Sequence, residues 1–77
     1  MADWRQWQPG VRVTVRYRLH GEEYGFTDAL GYLERIDADT LEIRTKRRGV
    51  VAVPTRDIVA AKRVPPPPAP RERRGLR

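Results

Sequence analysis

At 77 residues the chain has room for one small domain, and a domain of that size buries only about 60% of the surface its unfolded chain exposes, which leaves little interior for a deep catalytic cleft. With no cysteine and no serine, disulfide staples, thiolate metal sites and serine nucleophiles are excluded together. The net charge of +6 is split evenly: residues 1–64 carry twelve basic and nine acidic side chains, residues 65–77 four basic and one acidic, so half of the excess lies in the last thirteen positions.

The N-terminus, Met1-Ala2-Asp3-Trp4-Arg5, has no apolar core of a signal peptide. The longest apolar run, residues 49–53, is far short of the roughly 20 residues a membrane span needs, so no membrane is expected as a partner and a cytoplasmic setting is the default. Trp4 and Trp7, three apart and ahead of Pro9-Gly10, suit an N-terminal turn that plugs the open end of a small barrel; the competing role is a partner-binding surface.

The run Val11-Arg12-Val13-Thr14-Val15-Arg16-Tyr17-Arg18-Leu19 alternates apolar and polar residues without an error, the signature of a strand with one buried and one wet side. Its wet side carries Arg12, Arg16 and Arg18. His20-Gly21-Glu22-Glu23-Tyr24-Gly25 follows as an acidic, Gly-rich loop, and residues 26–36 read as a second strand with Leu30, Tyr32 and Ile36 at inward parity and Gly31 permitting a bend or bulge. Asp37-Ala38-Asp39-Thr40 is a turn, and Leu41-Glu42-Ile43-Arg44-Thr45-Lys46 resumes alternation with Leu41 and Ile43 inward. Arg47-Arg48-Gly49 makes the next turn, its glycine suited to positive φ, ahead of the continuously apolar strand Val50-Val51-Ala52-Val53. Pro54-Thr55-Arg56-Asp57 breaks the sheet as one 3₁₀ turn, and residues 58–64 supply a last strand with Ile58, Ala60 and Val64 on one side. The alternative for that stretch is a single helical turn capped by Asp57.

Five short strands, a long first loop, tight hairpins and a 3₁₀ turn before the last strand describe an all-β fold, a small five-stranded SH3-like barrel over residues 1–64. An OB-fold would need longer strands and usually a helix. Residues 65–77, with Pro65 to Pro68, Pro70 and four arginines, have almost nothing to bury. They read as a disordered Pro-rich basic linker to a further domain, or else as a free tail.

Enzyme chemistry finds few footholds. His20 has no second histidine to complete a metal site and reads as a solvated loop residue, and the carboxylate pairs Glu22-Glu23 and Asp37 with Asp39 fall in turns with no apolar surroundings to raise a pKa. No Gly-rich loop opens a helix, so neither a phosphate site of that kind nor any cofactor is expected, and no catalytic or metal-binding residue is assigned.

Binding is the stronger expectation. Arg12, Arg16 and Arg18 with Lys46, Arg47 and Arg48 at a hairpin tip form one basic patch if the barrel brings them together, and Tyr24 and Phe26 can line a shallow peptide groove. Nucleic acid is the alternative ligand of such a patch. Against it, Glu34, Glu42 and Arg44 also lie on outer faces, where Arg–Glu pairing stabilises a wet sheet, and fourteen of sixteen basic residues are arginine with asparagine absent, as a GC-rich coding sequence gives.

The runs from Pro9 to Tyr17, Thr27-Asp28-Ala29-Leu30-Gly31-Tyr32-Leu33 and Val53-Pro54-Thr55-Arg56-Asp57-Ile58 through Pro65 resemble the N-terminal SH3-like domain of a group of actinobacterial GNAT-family N-acetyltransferases, one member of which is described as a histone acetyltransferase. The likeness covers residues 4–65. It implies a non-catalytic accessory module, joined by a Pro-rich charged linker to an acetyl-CoA-dependent catalytic domain in cis, and contacting that domain or a protein partner. The cofactor loop of that family, Gln/Arg-x-x-Gly-x-Gly/Ala opening a helix, has no match here, so no catalytic or acetyl-CoA-binding residue carries over.

Overall fold

The computed structural model describes residues 4–20 and 25–66. The expectations placed on the 21–24 loop, Tyr24 among them, and on the Pro/Arg-rich segment beyond Pro66 lie outside the described residues.

Five strands form one antiparallel sheet: β1 Arg12–Leu19, β2 Gly25–Ile36, β3 Thr40–Thr45, β4 Gly49–Pro54 and β5 Ile58–Arg63. Their order across the sheet is β4-β3-β2-β1-β5, with the 3₁₀ turn Thr55–Asp57 leading into β5. This is the expected all-β architecture, in which a bent sheet encloses its own core. A single twisted sheet can bury only one face, and here that face gathers Val13, Val15 and Tyr17 of β1, Ala29 and Leu33 of β2, Leu41 and Ile43 of β3 and Val53 of β4.

Trp7 completes that core at 8% exposure, with Trp4 packed against it from the 3₁₀ turn Trp4–Gln6. The plug therefore exists. It is fastened by the backbone: Gly10 N donates to Leu33 O, and Leu33 N to Val11 O. Gly10 sits at φ 102, a conformation that glycine adopts without strain.

The interior of β2 differs from the sequence expectation. Ala29, Gly31 and Leu33 face the core, whereas Leu30 and Tyr32 face out. The reason is a register shift between Leu33 and Arg35, with Glu34 as the unpaired extra residue of a bulge. Reading one parity from Leu30 to Ile36 fails because the phase changes at Glu34: Ile36 packs inward opposite Leu41, and the residues before the bulge take the opposite parity. Gly31 lies close against β3. A Cβ placed there would overlap the backbone carbonyl of Arg44, so the inner side of this bend admits no side chain.

A second shift, between Arg16 and Tyr17 against β5, pairs Tyr17 with Ile58 and Arg16 with Ala60, and leaves Val59 as the extra residue. Ile58 and Ala61 consequently pack on the core, and Ala60, expected inward, is exposed. β4 alternates rather than being buried on both sides: Val51 and Val53 point in, Val50 and Ala52 out. Its hairpin to β3 turns at Gly49, φ 69, with Thr45 Oγ1 accepting from Arg48 N at 2.9 Å.

Candidate interaction surface

Ala29 and Gly31 take the inner positions in the middle of β2, and the large apolar side chains beside them point outward. Phe26 is 56% exposed, Leu30 48% and Tyr32 40%, and Val50 on β4 joins them at 52%. The pairing register sets their neighbours. Arg12, Tyr32, Arg44 and Val50 form one row across β1, β2, β3 and β4, and Lys62, Thr14 and Leu30 form the next across β5, β1 and β2. Tyr32 is thus flanked by an arginine on either side.

Around this pair the surface is concave. A hollow of about 430 Å³ is walled by Arg12, Leu30, Tyr32, Arg44 and Lys46. A second, of about 460 Å³, shares Arg12 and Tyr32 and has Arg63, Val64 and Pro65 on its far side. The end of β5 defines that side: Val64 N donates to Arg12 O at 2.9 Å and Arg12 Nη1 to Pro65 O at 2.7 Å.

The structure brings some of the six basic residues singled out by sequence together and occupies others internally. Arg16 pairs with Asp28 through Nε at 3.0 Å, and this hydrogen bond raises its pKa. Arg48 reaches across from the hairpin tip to donate to the Asp28 carbonyl at 3.0 Å, where β3 has already turned away from β2. Arg18 lies over the Phe26 ring, 5.8 Å from its centroid, which places both at the other end of β2 from Tyr32. Arg12 is tied to Pro65. Lys46 and Arg47 form no hydrogen bond or ion pair among the described residues.

Cross-strand pairing of Arg44 with Glu34 is present as expected, with Glu34 at the bulge. The hydrogen bond from Arg44 holds the Glu34 carboxyl below its usual range. Tyr17 is buried at 7%, as its parity required, whereas Tyr32 is not the core residue that sequence parity made it.

One contact had no sequence signal. His20, at the end of β1, shares a hydrogen bond of 2.9 Å between Nε2 and Oδ1 of Asp57, whose side chain is only 7% exposed against 62% for the imidazole. That bond, followed by the nearby charges of His20, Arg56 and Arg18, draws the Asp57 pKa down against the opposing effect of burial. Nothing along the chain links positions 37 residues apart. The arrangement ties the 3₁₀ turn to β1.

Among the described residues no group of three or more His, Asp or Glu side chains could hold a metal ion, and no helix is long and apolar enough to cross a membrane. Residues 7–62 match the family model described as the Rv0428c N-terminal Sm-like domain. None of the curated proteins and none of the solved structures compared with the chain matches it.

Proposed function

The chain belongs to the Rv0428c N-terminal Sm-like domain family, and from that premise we propose that it is a non-catalytic docking module that works as the N-terminal part of a larger protein. The observation that carries this is the outer face of β2, where Leu30 and Tyr32 stay exposed between cationic neighbours although the fold does not use them. Large exposed apolar groups in a concave, charged setting are what interaction sites are made of. The family description itself specifies an N-terminal domain, and the match stops at residue 62, just before the Pro-rich segment that reads as a connector.

The parent protein in this proposal is an acetyl-CoA-dependent N-acetyltransferase of the GNAT type. Its support is the resemblance of residues 4–65 to the accessory domain of such enzymes, and a cytoplasmic setting accords with the cysteine-free composition. The test is to follow the natural reading frame beyond Arg77 and assay the encoded protein. Acetyl transfer to a small amine should survive deletion of residues 1–64 while acetylation of a protein substrate falls. A frame that stops at Arg77, or a deletion that leaves protein acetylation untouched, would refute it.

A second function, binding of nucleic acid, draws on Lys46, Lys62 and Arg63, cations with no ion-pair partner among the described residues, and on the unexpected exposure of Tyr32. Affinity of the chain for single-stranded oligonucleotide that falls steeply with salt, and persists in a chain ending at Val64, is its expected signature.

A further inference from the structure

We infer that the face around Leu30 and Tyr32 binds an acidic protein segment carrying an apolar anchor, an inference that rests on the docking role above and names the chemistry of the partner. Three observations carry it. The apolar floor is small and central, Leu30 and Tyr32 being adjacent outward positions of β2, with Val50 closing the Tyr32 row two strands away. The strands on either side supply cations, Arg12 on β1, Arg44 and Lys46 at the end of β3 and Lys62 on β5, while the carboxylates that flank the floor along β2, Asp28 and Glu34, are each neutralised by an arginine, Arg16 and Arg44. Among the described residues only Arg44 of the cations Arg12, Arg44, Lys46 and Lys62 has a carboxylate partner, Glu34. Charge complementarity therefore asks for an acidic ligand, and the exposed side chains ask for an apolar residue within it. A basic tail of the kind some acetyltransferases modify is disfavoured at this face by the same charges.

The layout favours a peptide over a nucleic acid strand. Stacking of successive bases needs rings in succession, but the other exposed ring on β2, Phe26, lies six residues from Tyr32, about 20 Å along an extended strand. Asp28 stands between them, its carboxylate held by Arg16. A segment anchored by one apolar residue at Leu30 and Tyr32 needs no second ring.

The test uses the 77-residue chain and fluorescence anisotropy at moderate salt. The probes are a short labelled peptide in which glutamate alternates with leucine, the same peptide with serine for leucine, and oligo-dT. The glutamate–leucine peptide should bind at least about tenfold tighter than the glutamate–serine one, a difference of about 1.4 kcal/mol. Tyr32→Ser and Leu30→Ser should each lose most of that advantage, and Lys46→Glu should weaken both peptides, whereas Arg56→Ala should change nothing. Circular dichroism establishes that each variant is folded. Lys46→Glu, at an exposed hairpin tip, keeps the test decisive if a β2 variant is not. Equal binding of the two peptides would reduce the face to a cation patch, tighter binding of oligo-dT would assign it to nucleic acid, and unchanged affinity in Tyr32→Ser would move the site elsewhere. Each of these overturns the inference. The acetyltransferase assays of the parent protein test the docking role separately, so the two can fail independently.

Discussion

On its inner face β2 presents Ala29, Gly31 and Leu33, all buried; one residue out of phase, its outer face presents Leu30 and Tyr32, each nearly half exposed. Around Gly31 the usual relation of size to burial is inverted, although Leu33 two residues on is fully buried. The cause is the approach of β3, which leaves no room for a side chain at position 31, so bulk that an ordinary alternating strand would bury is displaced to the exterior. At this point of the strand the lack of room at Gly31 and the outward bulk of Leu30 and Tyr32 lie on opposite faces of one bend, where the core closes.

That contrast can be broken from the inside. Gly31→Ala forces a methyl group into the Arg44 carbonyl, and because the obstacle is backbone, the loss of stability should be about 3 kcal/mol or more, seen as a chain largely unfolded in urea titration. Leu33→Ala, which opens a cavity rather than a clash, should lower the unfolding free energy by about 3 kcal/mol with an unchanged m-value. A Gly31→Ala protein as stable as the parent would mean that β2 and β3 do not approach as described.

A smaller effect tests the tie between the 3₁₀ turn and β1. The Asp57 carboxyl is held below its ordinary range in the folded chain, so the folded state binds fewer protons than the unfolded one as pH falls. The resulting stabilisation is complete above about pH 5 and is lost on acidification through the folded pKa. Melting temperatures measured downward from pH 5 should drop less steeply in Asp57→Asn than in the parent. Glu34 shifts in the same direction, but its exposed pair with Arg44 contributes little to the slope.

The smallest effect is expected outside. Leu30→Ser and Tyr32→Ser should change stability by no more than about 0.5 kcal/mol, because neither side chain supports the core. A loss as large as that of Leu33→Ala would erase the distinction between the faces.

Alternation made β1 legible residue by residue, since its burial follows the written pattern from Val13 to Tyr17. The turn at Gly49, the 3₁₀ turn at Thr55–Asp57 and the Trp7 plug were legible too, because each depends on residues close in sequence. The phase of β2 and β5 was not. A bulge adds one residue without a composition signal of its own, and Glu34 and Val59 are ordinary strand-edge residues until their partners are known. The same limit hid half of the candidate surface: Arg12 and Lys46 could be singled out by charge, but Tyr32 and Leu30 share the parity of Ile36 in the sequence, and only the bulge puts them on the opposite face from it. His20 with Asp57 was hidden for a different reason, since only the β1–β5 pairing brings position 57 beside position 20.

That pairing also determines how the domain responds to force. β1 and β5 run antiparallel with Val13 opposite Arg63, so the backbone entering the sheet and the backbone leaving it lie side by side. Tension applied across them opens the ladder one pair after another, an unzipping geometry in which single hydrogen bonds of about 1 kcal/mol bear the load in turn instead of sharing it in shear. Within the β1–β5 ladder the bonds of Arg12 to Val64 and Pro65 are at the end that opens first. Arg12 is also a wall of both hollows beside Tyr32, so opening that end of the ladder would change the shape of both at once.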